Sequence, residues 1–139
     1  MKIAIKNLQK KIPINPKRIK SAILNLLSQE GALYPVEITV CFMRDRQIKQ
    51  LNRKYLNKDA PTDVLAFAMP HPKEPGKNVF DIAVSADTAA RNSRFYKSTP
   101  QKELKLYVIH GLLHLLGYDD LSPRKAALMR KKEKQYADT

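Results

Sequence analysis

Apolar positions along the chain fall into two spacings, and where the spacing changes it predicts the boundaries of the elements. Polar and apolar residues alternate through Ile3 and Ile5 between Lys2 and Lys6, the period of a half-buried strand. Asn15-Pro16 then supplies a cap and a first-turn proline, and Ile19, Ala22, Ile23, Leu26 and Leu27 mark one face of a helix that Glu30-Gly31 ends. Val36 to Phe42 reads as a second strand. From Asp45 to Tyr55, the residues Ile48, Leu51 and Tyr55 recur at helical spacing while the other face is basic, which predicts an exposed basic helix lying on a core. Asp, Ala and Pro between Lys58 and Thr62 break that helix, and Asp63 to Met69 reads as a mostly buried strand. Three prolines and a glycine make Pro70 to Asn78 a loop, with His71 a surface residue within it more readily than a ligand. Phe80 to Ser85 is a further short strand, and Ser85 can cap a helix running to about Tyr96 through Ala86, Ala89 and Ala90. Thr99-Pro100 and Ser122-Pro123 repeat the cap-plus-proline device. The first opens a helix that Gly117 ends, and the second opens a basic C-terminal helix with Ala126, Met129 and Glu133 on its inner face.

The resulting order, β-α-β-α-β-β-α-α-α, has no repeat or linker. It predicts a single domain over residues 1–139 of the α+β class, a small sheet with helices packed on it. The sheet is expected to be mixed, because some connections are helical crossovers and one is a nine-residue loop. A chain of 139 residues can bury about two-thirds of its unfolded surface, so no metal or disulfide is needed merely to hold it together. The hydrophobic content of 43% and charged content of 28% are those of a soluble protein, and no apolar run approaches the roughly 20 residues of a membrane span. Met1 to Lys11 lacks the apolar core of a secretory signal, so a cytoplasmic location is expected, with no membrane partner. Cys41 is the only cysteine, which excludes an internal disulfide and a cysteine-based zinc site. Between Val40 and Phe42 it reads as a small core or near-core residue, ahead of a nucleophilic thiol.

Charge changes the picture more than composition does. Twenty-six Lys and Arg against 13 Asp and Glu give a formal +13, spread in blocks. Lys2 to Lys20 form one group, Arg44 to Lys58 a second, and Arg124 to Lys134 a third. A polyanion such as nucleic acid is the natural partner, bound with a steep dependence on salt. A solvated lysine-rich surface is the plainer reading of the same residues.

The candidate chemistry lies in Val108 to Asp120, V-I-H-G-L-L-H-L-L-G-Y-D-D. From Leu104 to Leu116 hardly any polar face remains, which predicts a central helix in a dry interior. His110 and His114 are four apart, on nearly one face, and can share a metal ion. Neutral imidazoles in such a place leave lone pairs unsatisfied unless something binds them, although hydrogen-bonded core histidines are the alternative. Gly111 costs a helix roughly 1 kcal/mol relative to alanine, so it suggests close backbone packing or an approach path for substrate. Gly117 suits a left-handed turn that brings Tyr118-Asp119-Asp120 back towards the histidines, where Asp120 could be a third ligand. Two histidines, one carboxylate and an open fourth position form a known catalytic zinc set. Gly111 stands where a zinc peptidase of the HExxH type has its general-base glutamate, which disfavours that chemistry.

These residues resemble the hallmark of the YbeY family of bacterial metal-dependent endoribonucleases, H-G-x-L-H-L-x-G-Y-D-H, here His110-Gly111-Leu112-Leu113-His114-Leu115-Leu116-Gly117-Tyr118-Asp119-Asp120. A second block, L-N-x-x-[FY]-R-x-x-D-x-P-T-D-V-L-S-F-P, is matched by Leu51, Asn52, Tyr55, Asp59, Pro61, Thr62, Asp63, Val64, Leu65 and Phe67. A third, G-D-I-x-I-S, is matched by Asp81, Ile82 and Ser85. The resemblance implies one α+β metallohydrolase domain in which His110, His114 and Asp120 hold one Zn²⁺ ion. It also implies cleavage of single-stranded RNA in ribosomal RNA maturation and ribosome quality control, with the small ribosomal subunit as partner. Four positions depart from the pattern: Asp120 replaces a histidine, Leu56 an arginine, Ala66 a serine and Phe80 a glycine. A carboxylate ligand reduces the pull of the ion on its water, and loss of the arginine removes a guanidinium suited to phosphate. Arg53, Lys54 or Lys58 are the candidates to replace it at the RNA. Asp119 is a weaker candidate ligand, and Asp63 and Asp81 are either structural hydrogen-bond partners or lining of the cleft. The departures at Leu56 and Asp120 leave a second expectation standing beside the nuclease: a ribosome-binding assembly factor with little nuclease activity.

Overall fold

Each of the three cap-plus-proline signals starts a helix in the structure, a computed structural model that describes residues 2–32 and 36–138. The elements in chain order are β1 (Lys2–Asn7), α1 (Pro16–Gln29), β2 (Val36–Met43), α2 (Asp45–Leu56), β3 (Val64–Pro70), β4 (Asn78–Ser85), α3 (Ala86–Phe95), α4 (Pro100–Leu115) and α5 (Pro123–Ala137). Asn15, Thr99 and Ser122 accept from the backbone N–H three residues on, those of Arg18, Lys102 and Lys125, and each helix begins on proline. Ser85 does the same for α3 through the N–H of Thr88. These side chains satisfy donors that a helix start otherwise leaves unpaired.

The four strands lie in the order β1-β2-β4-β3. Strands β1, β2 and β4 are parallel, and β3 runs antiparallel to β4. The connections dictate this: β1 reaches β2 through α1, whereas β3 reaches β4 through a short loop that reverses the chain. One face of the sheet carries Ile38, Val40, Phe42 and Ile82 into the main core with Ile23, Leu26, Leu27, Leu104, Leu112 and Leu113 of α1 and α4. The other carries Met43, Leu65 and Ala83 into a smaller core under Ile48 of α2, with Leu51, Phe67 and Cys41 at its margin. Helix α4 is central as expected, touching α1, α3, α5, β3 and β4.

Two expectations change. Strand β3 is not mostly buried: Leu65 is covered, but Ala68, Met69 and Pro70 are exposed. It is the end strand of the sheet, and helices cover only its first half. Tyr55 continues the apolar stripe of α2 yet is 56% exposed, because α2 runs past the small core before it ends at Asn57, a left-handed residue with φ 55°. Cys41 is half-buried as expected, and burial raises its thiol pKa, which opposes thiolate chemistry.

Candidate metal centre and its cleft

Helix α4 presents His110 and His114 one turn apart, and their Nε2 atoms come within 3.1 Å of each other. The rings meet edge to face, with centroids 4.6 Å apart and planes at 79°. The dry interior expected from the sequence is corrected here, since both residues are only half-buried and the His110 side chain is 30% exposed. The apolar residues of α4 face the sheet and the neighbouring helices, while the two imidazoles lie where those covers part.

Gly111 explains how α4 sits so close to the sheet. A Cβ there would stand 3.1 Å from Cγ2 of Val64, 3.3 Å from Cγ2 of Ile82 and 3.5 Å from Cβ of Ala66. Of the two readings of this glycine, close backbone packing is the one the geometry carries.

The orientation of His110 comes from α5. Glu133, on the inner face of that helix, places Oε1 2.6 Å from His110 Nδ1. A carboxylate oxygen only accepts, so Nδ1 carries the proton and Nε2 keeps its lone pair in the neutral ring. The Glu133 hydrogen bond raises the His110 pKa; burial works against it, and the charges of Glu133, Asp63 and Asp120 add to the rise. Glu133 was legible only as an acid on an inward face, with no signal for what it meets.

Asp120 lies beyond Gly117, whose φ of 104° makes the expected turn. Its charge acts on His110, but the residue is exposed. Asp119 accepts from the N–H of Leu121 at 3.0 Å and lies 3.7 Å from the Lys125 ammonium, a helix-entry role. Asp63 uses Oδ1 to accept from its neighbours, the N–H of Val64 at 2.7 Å and the hydroxyl of Thr62 at 3.2 Å, while its charge reaches both His110 and Tyr107. It is a structural acceptor whose charge also acts on His110. Asp81 forms neither role here: it faces away from the histidines beside Ala83, and burial raises its pKa.

The loop before Asp120 is tied down by a residue that the sequence marked only as a helix end. Glu30 accepts hydrogen bonds from the hydroxyls of Tyr118 and Tyr136 and from the Lys132 ammonium at 3.0 Å. Burial would raise its pKa, but these three donors outweigh burial and hold it below the usual carboxylate value. Glu30 thus joins the end of α1 to the turn after α4 and to α5.

Among the described residues, one set of three metal-competent donors lies mutually within 4.8 Å, and it is elsewhere: Glu37, His71 and Glu74. His71 is not the surface residue expected, since its side chain is 12% exposed. Its Nδ1 accepts from the N–H groups of Lys73 and Glu74, both at 3.0 Å, which directs the ring proton at Nε2 towards the carboxylates. The Lys77 ammonium lies 3.3 Å from Glu37 and 3.0 Å from Glu74. The Lys77 ammonium offsets one of the two carboxylate charges of this set, and the pairs tie the β3–β4 loop to β2.

A model of the Endoribonuclease YbeY family matches residues 4–139. This chain belongs to that family. Relatives named Endoribonuclease YbeY include one from Syntrophus aciditrophicus, 35% identical over 97% of this chain and 87% of the relative, and one from Geobacter metallireducens, 36% identical over 97% and 91%. A third, from Anaeromyxobacter sp., is 45% identical over 73% of this chain, and the match spans only 53% of that longer relative. The solution structure of a Thermotoga maritima protein is similar with a TM-score of 0.67 and 30% identity, covering 98% of this chain and 87% of that one. Membership places the chain in an enzyme family of RNA-cleaving hydrolases, and the α+β fold agrees with the structural neighbour. Of the positions that depart from the family pattern, Phe80 is absorbed into the main core, Ala66 lies against Gly111, and Leu56 is 48% exposed at the end of α2.

The basic residues proposed for RNA stand where the sequence put them. Arg53, Lys54 and Lys58 are exposed on the last turn of α2 and the loop after it. Asn52 holds that loop: its Nδ2 donates to the carbonyl of Ala60 at 2.9 Å, and its backbone carbonyl accepts from the backbone N–H of Lys58 at 3.2 Å. No helix of the described residues is long and apolar enough to cross a membrane.

Proposed function

We propose that this chain is a zinc-dependent endoribonuclease that cuts single-stranded RNA, acting in ribosomal RNA maturation at the small subunit and in ribosome quality control. The observation that supports it is the convergence of the two Nε2 atoms. Two nitrogens each about 2.05 Å from a tetrahedral zinc stand roughly 3.3 Å apart, close to the 3.1 Å between His110 and His114. The spacing of the two histidine nitrogens suits the ion. His110 and His114 would hold it, and Asp120, exposed and with its charge acting on His110, is the third ligand of this reading. When bound, zinc would supply a Lewis acid that polarises a phosphate oxygen, activates water, or both.

The remaining contributions come from the chain itself. Glu133 fixes the ring of His110 and keeps its proton at Nδ1, so that Nε2 is free to bind. Asp63 and Asp120 add negative charge beside the histidines, which favours a cation there. Arg53, Lys54 and Lys58 attract the RNA backbone and orient it along α2. Cleavage of a single-stranded RNA oligonucleotide should stop with chelator and return with zinc, and His114→Ala should abolish it. Cleavage that survives chelation, or that is unchanged in His114→Ala, refutes this function.

Leu56 supports a second reading. Where the family pattern has an arginine, an apolar side chain faces solvent, which favours a factor that binds the small subunit and cuts RNA weakly. Purified protein that binds the subunit and leaves RNA intact with zinc present would establish this alternative; metal-dependent cutting would remove it.

A further inference from the structure

Tyr55 meets Phe67 at the margin of the small core, with ring centroids 5.3 Å apart and planes inclined at 52°. Tyr55 is 56% exposed, and Leu56 and Met69 extend the same surface at 48% and 46% exposed. The Lys54 ammonium lies over the Tyr55 ring, 5.2 Å from its centroid. Among the described residues the Tyr55 hydroxyl has no hydrogen-bond partner, so nothing in the fold requires an aromatic phenol at this place. A core residue would be covered, and a residue serving only solubility would not be an aromatic pair.

We propose that Tyr55 and Phe67 form a stacking platform for unpaired bases of single-stranded RNA. The proposal rests on the endoribonuclease reading and names how the strand is held. Charge complementarity selects the occupant: the Lys54 ammonium stands at the Tyr55 ring, and neither it nor Lys58, just beyond α2, makes an ion pair among the described residues. The acids on this side are Asp59, which is paired with Lys49 at 3.9 Å, and Asp81, opposite Phe67 in the β3–β4 ladder. Aromatic rings beside an unpaired ammonium fit a strand whose bases are free to stack and whose phosphates need counter-charges. A duplex, with its bases already stacked, gains nothing from the rings.

The platform and the histidines lie on opposite faces of β3. Val64 and Ala66 approach Gly111 on one face, and Leu65 and Phe67 lie with the α2 core on the other. Because β3 is the end strand, no further strand among the described residues lies between them. The segment from Asn57 to Asp63 follows the same route, since it leaves α2 beside Tyr55 and delivers Asp63, whose charge acts on His110. A bound strand would rest its bases on the rings and turn around the β3 edge into the cleft.

The test measures binding of a fluorescein-labelled single-stranded 12-mer, one base of it 2-aminopurine, with chelator present so that the RNA stays whole. Tyr55→Leu keeps an apolar side chain but removes the ring, and is expected to weaken single-strand binding about tenfold, within the stacking range of ~1–3 kcal/mol per base. It should leave duplex affinity and the salt dependence unchanged, and lose the 2-aminopurine quenching that wild type and Tyr55→Trp show. Circular dichroism melting establishes that the variant is folded. If folded Tyr55→Leu binds within twofold of wild type and the wild type binds tightly, the platform is refuted and the endoribonuclease reading stands. If wild type itself fails to bind single strands, both fall. If wild type self-associates in sedimentation, and Tyr55→Leu abolishes this without changing RNA affinity, the patch is a protein interface and the proposal is overturned.

Discussion

At the scale of single residues, Glu133 and Gly111 decide the geometry of the centre. Glu133→Gln keeps the size of the side chain but replaces the carboxylate that accepts from His110 Nδ1. Partners of this kind typically change metal affinity 10–100-fold, so a competitive zinc titration of Glu133→Gln should show a loss in that range with the melting curve little altered. Gly111 sets the distance between helix and sheet. Alanine there gains roughly 1 kcal/mol of helix propensity but presses on Val64 and Ile82, so the two effects nearly cancel. Valine adds two methyl groups where Ile82, 1% exposed, has no room to withdraw. Urea unfolding should therefore show Gly111→Val destabilised by more than about 2 kcal/mol and Gly111→Ala by much less.

At the scale of elements, two carboxylate clusters lock helices together, and both are sensitive to acid. Asp87 accepts from Arg44 Nε at 2.8 Å, from the N–H of Asp45 at 2.8 Å and from Lys11 at 3.1 Å. Asp45 in turn accepts from Ser85, Thr88 and Arg91. The starts of α2 and α3 are joined through each other's first-turn acids, where helix dipoles also favour negative charge. Burial would raise the Asp87 pKa, but Arg44, the Asp45 N–H and Lys11 outweigh it and hold the carboxyl well below its ordinary value. A folded pKa below the unfolded one stabilises the protein above about pH 4 and ceases to do so as the pH falls further. Asp87→Asn should lower stability at pH 7 and flatten its decline below pH 4, read from melting temperatures across pH. Glu30 plays the corresponding part between α1 and α5. Glu30→Ala leaves Lys132 and two tyrosine hydroxyls without their acceptor, and should cost about 2 kcal/mol or more in urea.

At the scale of the whole molecule, the +13 charge sets how RNA is met before any contact is made. Affinity for single-stranded RNA should fall linearly with salt on logarithmic axes, and each substitution among Arg53, Lys54 and Lys58 should reduce the slope by about 0.7, the value for one single-strand phosphate contact. A slope unchanged in the triple substitution would move the RNA away from α2. The arrangement also separates tasks: α4 carries the histidines, α5 orients one of them, and α2 with the β3 edge offers the basic and aromatic surface. Only β3, thin and at the end of the sheet, divides the last from the first two.

What the sequence determined by itself was local. Caps and prolines at Asn15, Thr99 and Ser122 place helix starts within a residue, because those signals act over three or four positions. The pairing of His110 with His114 was legible for the same reason, since one helical turn brings them together whatever surrounds them. The strand order, by contrast, was decided in three dimensions, where β4 enters between β2 and β3. So were the partners of the centre: Glu133 meets His110 from 23 residues away, and Glu30 meets Tyr118 from 88. Tyr55 shows the limit most plainly. Its spacing on α2 matches that of the buried Ile48, and only the length of the core beneath it decides that one is covered and the other faces solvent. Periodicity reports which face of a helix turns inward, while burial depends on what the rest of the chain brings to meet it.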